Sequence, residues 1–305
     1  MSILCVGQLV ADVVVRPVAR LPHPGRTEPV EEIDVLSGGC AANTAAVLAK
    51  IGAETNLVAL VGRDAFGDAA LADLARAGVD TASVRREAAW PTSVAIVMID
   101  PQGERSFYYR AGGCEQLAEA HVPDDVLGRA EIVHLGGAMK LLKLDLARLV
   151  ARAKSRGCLT SLDTDWDIYG NWMRLLEGAL PAIDYLFTNE EEAAMLSGRD
   201  DPRAAARALL ACGPKVVAVK RGEKGALVAS ADGVADFPAY RVAVKDTTCA
   251  GDAFAAGFLR GVGLGLPLDE SARLANAAGA LCTTEISHRG IRSLDQVRGL
   301  VEGRR

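Results

Sequence analysis

Residues 246–258 of this 305-residue chain read DTTCAGDAFAAGF. Small residues crowd Thr248-Cys249-Ala250-Gly251, and an apolar pattern with helical spacing follows, so these four residues lie at a helix N-terminus. There the first backbone N–H groups lack intrahelical partners and the helix dipole is positive, which favours an anion. Gly251 and its small neighbours let a ligand approach the backbone closely. Asp252 falls in the first helical turn. An Asp in that place ordinarily caps the helix or complements its dipole. Beside an anion pocket it is also where a general base for phosphoryl transfer belongs. It would accept a hydroxyl proton while backbone N–H groups hold the charge on the transferred oxygens.

Three further stretches carry chemistry-bearing residues. In SGGCAANTAAVLAKIGA (37–53), Gly38-Gly39 precede a helix that carries Asn43 near its start. The pattern is a tight turn with a polar first-turn residue, or a place where sugar hydroxyls meet backbone and amide. In TNEEEAAML (188–196), Thr188 or Asn189 caps a helix and Glu190 to Glu192 suit its positive end. The functional alternative is that Asn189 and Glu192 hold water-coordinated Mg²⁺ near nucleotide phosphates. In VKRGEKGA (219–226), Lys220, Gly222 and Gly225 form a hairpin turn or lie against a nucleotide. No Walker-type phosphate loop and no protein-kinase catalytic loop occur, so nucleotide handling would need another design.

The elements that must position these residues alternate. Short apolar runs at 3–7, 57–62, 131–137, 158–163, 185–189 and 215–220 read as buried strands. Between them lie helical patterns, most of which end in Gly. Alternating strand and helix predicts an α/β fold, a mostly parallel sheet covered on both faces, with ligands beyond the carboxyl ends of the strands. YRVAVKD (240–246) alternates like a further strand. Residues 11–36 are Pro-rich with short alternating runs, and 92–110 read as a hairpin around Asp100-Pro101-Gln102-Gly103. These two segments form either a small β-rich insertion on the main domain or extra edge strands of one sheet.

Half the residues are hydrophobic and the formal net charge is −5, which argues against a nucleic-acid surface needing clustered Lys and Arg. Seven scattered cysteines with no Cys-x-x-Cys fit a reduced, cytoplasmic setting. The first residues carry Asp12 where an export signal stays apolar, and no run approaches the length of a membrane helix. The four histidines have no metal-ligand spacing.

Taken together, the Gly-Gly-x-x-x-Asn region running into VALVGRDAFGD, and Asp-Thr-x-x-Ala-Gly-Asp at 246–252, resemble the ribokinase (PfkB) family of carbohydrate and nucleoside kinases. Asn-x-x-Glu at 189–192 and Gly-x-x-Gly at 222–225 support the resemblance, which covers nearly the whole chain. It implies a ribokinase-like fold with a small β-sheet lid formed by 11–36 and 92–110. The α/β core would comprise 1–10, 37–91 and 111–305. It implies an ATP-dependent sugar kinase acting on a hydroxymethyl group, with a nucleoside kinase as the alternative and a non-catalytic sugar-binding regulator as a third reading. Asp252 would be the base, and the backbone of Cys249, Ala250 and Gly251 the anion hole, with Cys249 where many members have Gly. Asp12, Gly38, Gly39 and Asn43 would contact the sugar. Asn189, Lys220, Gly222 and Gly225 would surround the ATP phosphates and ribose, and Asn276 the adenine. Glu192 would hold Mg²⁺ through water. Asp246 and Thr248 match part of a monovalent-cation (K⁺) site, although 283–291 depart from the pattern such a site requires. A homodimer through the lid would follow.

Overall fold

The computed structural model describes residues 1–304. The apolar runs pair into an eight-stranded sheet in the order β14 (Gly233–Phe237), β13 (Ala226–Ser230), β12 (Val216–Lys220), β11 (Tyr185–Asn189), β10 (Leu159–Asp163), β9 (Ile132–Gly136), β1 (Ser2–Gly7) and β4 (Glu54–Val58). From β4 to β12 the strands run parallel, and β13 and β14 are antiparallel. Side chains alternate between the two faces, so one strand feeds two cores. Ile3 and Cys5 of β1 pack with the helices Cys40–Lys50, Ala250–Gly263 and Leu268–Cys282, whereas Leu4 and Val6 pack with Leu146–Ser155 and Pro202–Ala211 on the other side.

A separate four-stranded sheet has the order β3 (Glu32–Gly38), β2 (Val10–Arg16), β7 (Val94–Ile99), β8 (Arg105–Arg110). The hairpin expected at 92–110 is β7 and β8, joined through Asp100–Glu104. One face of this sheet buries Val10, Val14, Leu36, Val97 and Ile99 together with Ile286 of the main domain. The other face carries Ile33, Val35, Ile96 and Tyr108, all exposed.

Two expectations need correction. The run 57–62 is not one strand. At Ala59 the chain leaves the large sheet, and β5 (Leu60–Gly62) pairs instead with β6 (Arg85–Glu87). Residues 240–246 form no strand: after the edge strand β14 the segment pairs with no strand. It is tied down at its end by the Lys245 and Asp246 N–H groups donating to Thr283 O. Its alternation does not mark a buried face: Val244 is 62% exposed, and only Asp246 at its end is buried.

All seven cysteines are free, and no helix among the described residues is long and apolar enough to cross a membrane.

Candidate active site

Parallel register sets the first half of the site. Gly7 stands opposite Gly136 and Gly136 opposite Asp163, whereas Asp163 stands opposite Phe187, so β11 and β12 run two residues further to Asn189 and Lys220 and the five strand ends form one stepped line. Strand order reverses at β1 and β9, where a crevice opens in such sheets. Lys220 at the end of β12 donates to both oxygens of Asp163 at the end of β10, at 2.7 and 2.9 Å. Burial pushes the Asp163 carboxyl up to about 7 against the pull of Lys220. Burial alone would lower the Lys220 ammonium, yet Asp163, Glu192 and Asp252 together raise it.

The helix Ala250–Gly263 points its N-terminus at this line. A Cβ on Gly251 would lie 3.2 Å from Lys220 Nζ, which places the ammonium against the free N–H groups of the first turn. Cys249 immediately precedes the helix with φ 67°, left-handed backbone that favours Gly. A glycine would adopt this backbone without strain. Its thiol packs into the core and is held well above its ordinary range by its Cys282 contact and by burial, so it is no nucleophile.

Asp252 Oδ2 accepts from Asn43 Nδ2 at 2.8 Å. Burial pushes the Asp252 carboxyl up to about 6, opposed by the Asn43 bond and by Lys220. The other amide atom, Asn43 Oδ1, is buried without a hydrogen-bond partner. Asn43 lies in the first turn of the helix Cys40–Lys50, which Gly39 opens at φ 89° with no room for a side chain against Gln8 O. A Cβ on Gly38 would meet Asp12 Oδ2 at 2.1 Å. Asp12 thus reaches from β2 of the small sheet onto the Gly38 backbone. Burial first, then Asp252 and Asp246, push its carboxyl up to about 7. Asp12, Gly38, Gly39, Asn43 and Asp252 are therefore brought together, as the sequence led us to expect.

The remaining residues divide into two sets. Asn189 caps the helix Glu190–Ser197 in a reciprocal box: its side chain accepts from Glu192 N–H at 2.8 Å and its own N–H donates to Glu192 Oε2 at 3.0 Å. Glu192 Oε2 also accepts from Thr164 Oγ1, while Oε1 takes no protein donor among the described residues. Gly222 and Gly225 have φ 56° and 85°, and a Cβ on Gly225 would collide with Phe237 O at 2.0 Å. Asn276 Nδ2 donates to Phe237 O and Pro238 O, at 2.9 and 3.2 Å. Gly225 and Asn276 thus meet through the segment after β14 rather than directly. The Asp246 side chain does not fit an open cation site. Oδ1 takes the Thr248 N–H and hydroxyl, and Oδ2 takes Ser287 N–H.

Sequence reasoning missed Asp163, Asp165, Lys140, Gln8 and Cys40. Gln8 Nε2 donates to Gly137 O and Asp165 Oδ2, and Asp165 is ion-paired with Lys140. Cys40 lies beside Asp252 and, after Asn43 and Lys220, helps to hold its carboxyl down. Asp163 had a usable signal, a carboxylate closing an apolar strand. Lys140 had none.

The pfkB family carbohydrate kinase model matches residues 1–292. An ATP-dependent ribose-1-phosphate kinase of Halopiger xanaduensis is 32% identical, covering 99% of this chain and 98% of that protein. A nucleoside kinase of Methanothermobacter thermautotrophicus is 30% identical over 90% of this chain and 87% of its own. Among solved structures, Arabidopsis thaliana ribokinase complexed with ribose and ATP matches at 27% identity and a TM-score of 0.81, covering 99% of this chain and 98% of that one. With a family match across nearly its full length and a relative above 30% identity end to end, this chain belongs to the pfkB family of carbohydrate kinases.

Proposed function

We propose that this protein transfers the terminal phosphoryl group of ATP to a hydroxymethyl group of a small sugar or sugar derivative. The observation that carries the reading is Asp252: a carboxylate held by Asn43, poised near neutrality, in the first turn of a helix whose free N–H groups face Lys220. Asp252 takes the hydroxyl proton as the acceptor oxygen bonds to phosphorus, and the bond to the ADP oxygen breaks. The N–H groups at 250–252 and the Lys220 ammonium hold the charge on the transferred oxygens. Asp12 accepts from acceptor hydroxyls, and the orphaned Asn43 Oδ1 accepts another. Gly222, Gly225 and the Asn276-anchored segment flank the nucleotide.

Mg²⁺ fits at Glu192, whose open Oε1 and the nearby Asn189 amide suit a cation that keeps its waters. When bound it neutralises charge on the nucleotide phosphates. The small sheet acts as a lid that excludes water, the competing acceptor. Seven free thiols suit work in a reducing cytoplasm.

The exposed outer face of the lid seats a second copy of the chain. Val13, Val15, Ile33, Val35, Ile96, Met98 and Tyr108 are cross-strand partners on that face, an unbroken apolar strip. Sedimentation should find a dimer for the wild type and a monomer for Ile96→Glu; a monomeric wild type would remove this assembly.

A nucleoside acceptor is favoured by one observation. Phe107 lies on the inner face of the lid and is 54% exposed, with the Arg105 guanidinium 5.8 Å from its ring centroid, an aromatic surface beside which a base stacks. ATP consumption across a panel of sugars, sugar phosphates, sugar acids and nucleosides decides between the acceptors. Binding of a sugar with no turnover of any acceptor would instead mark a non-catalytic sugar-binding protein.

A further inference from the structure

We propose that His288 couples the two halves of the site as a positioning residue: through Asp73 it holds the turn that meets the acceptor, and through the backbone of Ser287 it holds the loop that opens the anion hole. The proposal rests on the kinase reading above and adds a residue that acts on that site from behind, without touching substrate.

The links form one chain. Ser37 stands immediately before the Gly38-Gly39 turn, and its N–H and hydroxyl both donate to Asp73 Oδ2, at 3.0 and 2.8 Å. Asp73 belongs to the helix Ala65–Arg76 and is buried. Burial would raise its carboxyl, but His288 and Ser37 hold it well below the usual range. His288 Nε2 stands 3.5 Å from the same oxygen, close enough for electrostatic attraction but too long for a full hydrogen bond. One residue earlier, Ser287 N–H donates to Asp246 Oδ2 at 2.9 Å, and Asp246 Oδ1 takes the Thr248 N–H and hydroxyl. Thr248 leads into Cys249 and the helix Ala250–Gly263. From the other side Lys50, which closes the helix carrying Asn43, donates to His288 O at 2.8 Å. His288 is thus gripped by two helices and ties the acceptor turn to the anion hole.

Two observations set this chain apart from packing. Among the described residues three non-glycine residues have positive φ: Trp172, Cys249 and Ser287, the last at 52°. Cys249 and Ser287 lie on either side of the Asp246 hydrogen bonds. Left-handed backbone at such a residue costs about 1–3 kcal/mol and persists where the surroundings over-determine it. Second, the His288 ring is 5% exposed, yet neither nitrogen makes a hydrogen bond. A position that served packing alone would be better filled by an apolar side chain, because buried polar groups without partners cost stability. The polar ring is explained by its pull on Asp73. The same segment meets β3 nearer the surface, where Arg289 Nη1 donates to Asp34 Oδ2 at 3.2 Å, but a partly exposed pair of that kind holds weakly. Donors for a transition state must be held to a fraction of an ångström, and a misplacement of about 1 Å costs about 10²-fold in rate.

The test compares wild type with His288→Leu, His288→Gln, Ser37→Ala and the Ser37→Ala/His288→Leu double variant, by steady-state kinetics with ATP and the acceptor that the wild type turns over best. His288→Leu should keep its thermal midpoint within about 4 °C of the wild type, because Asp73 retains its Ser37 and Arg76 donors. Its kcat should nevertheless fall about 10²-fold and its acceptor KM rise, with KM for ATP unchanged. His288→Gln, whose amide can donate to Asp73, should recover part of kcat. Ser37→Ala acts through the same joint, so it should cost less in the His288→Leu background than in the wild type. Full kcat in folded His288→Leu, or strictly additive effects, overturns the proposal. Amide hydrogen exchange gives a second reading that needs no turnover. Ser37→Ala should speed exchange of the Thr248 N–H at the far end of the chain, and unchanged exchange there also overturns the coupling. A wild type that turns over no acceptor overturns the kinase reading instead, and the exchange result still decides whether His288 joins the two loops.

Discussion

Asp252→Asn should lower kcat by about 10²–10⁴-fold, the usual contribution of a positioned general base. The variant keeps a side chain of the same shape, still accepts from Asn43, and should bind acceptor with little change by calorimetry. The same substitution should make the protein more stable at pH 8. Burial raises the Asp252 carboxyl to about 6 in the folded chain, above its ordinary 3.8. The folded state then holds this proton more tightly than the unfolded one. Stability from this group is fully present below about pH 4 and is lost as pH rises through about 6. At pH 8 the wild type carries that deficit and the Asn variant does not, a difference of about 1–3 kcal/mol. Thermal unfolding at pH 4 and pH 8 should show the gap closing at the lower value. The same titration makes wild-type turnover decline below about pH 6. Near-normal turnover in Asp252→Asn would remove the mechanism.

Lys220→Met should be damaging in a second, pH-dependent way. Lys220 is the counter-charge of Asp163, whose side chain is 2% exposed. Removing one member of a buried pair typically costs about 3–5 kcal/mol. Here protonation offers an escape, because burial already raises Asp163 to about 7 with the lysine present. Without Lys220 that value climbs further. Asp163 in the variant is then neutral near pH 6 and the loss is small. Above pH 7 the variant continues to lose stability, by up to about 1.4 kcal/mol per pH unit, while the wild type has finished its transition. Urea unfolding at pH 6, 7.5 and 9 reads this widening gap; a loss that stays flat across the three would refute the assignment. Adding Asp163→Asn to Lys220→Met should restore stability at high pH, because no buried charge remains. It should not restore turnover, expected about 10²-fold low, because the ammonium beside Gly251 is still missing.

Local features were read correctly from the chain because they rest on short-range rules. The helix that opens at Ala250, its acidic first turn, the helix cap at Thr188 or Asn189, which is Asn189, and the β7–β8 hairpin each lie within a few residues of their own signals. The readings that failed were also local, but they depended on neighbours. Whether 240–246 is a strand depends on lying beside a partner, and this segment pairs with no strand although β14 leaves its outer edge open. Cys249 adopts left-handed backbone against its own preference, since the loop must turn there to aim the helix.

By itself the amino-acid sequence determined the alternation of strand and helix, the helix starts and stops, and which small residues leave backbone open to a ligand. Tertiary structure alone decided which of those residues meet. Asn43 reaches Asp252 across 209 positions, Arg105 reaches Thr248 across 143, and Lys220 reaches Asp163 across 57. The reason is geometric: periodicity says where a strand ends, but only sheet order and register say which strand ends lie side by side. The charges that set each carboxyl's proton affinity come from those neighbours.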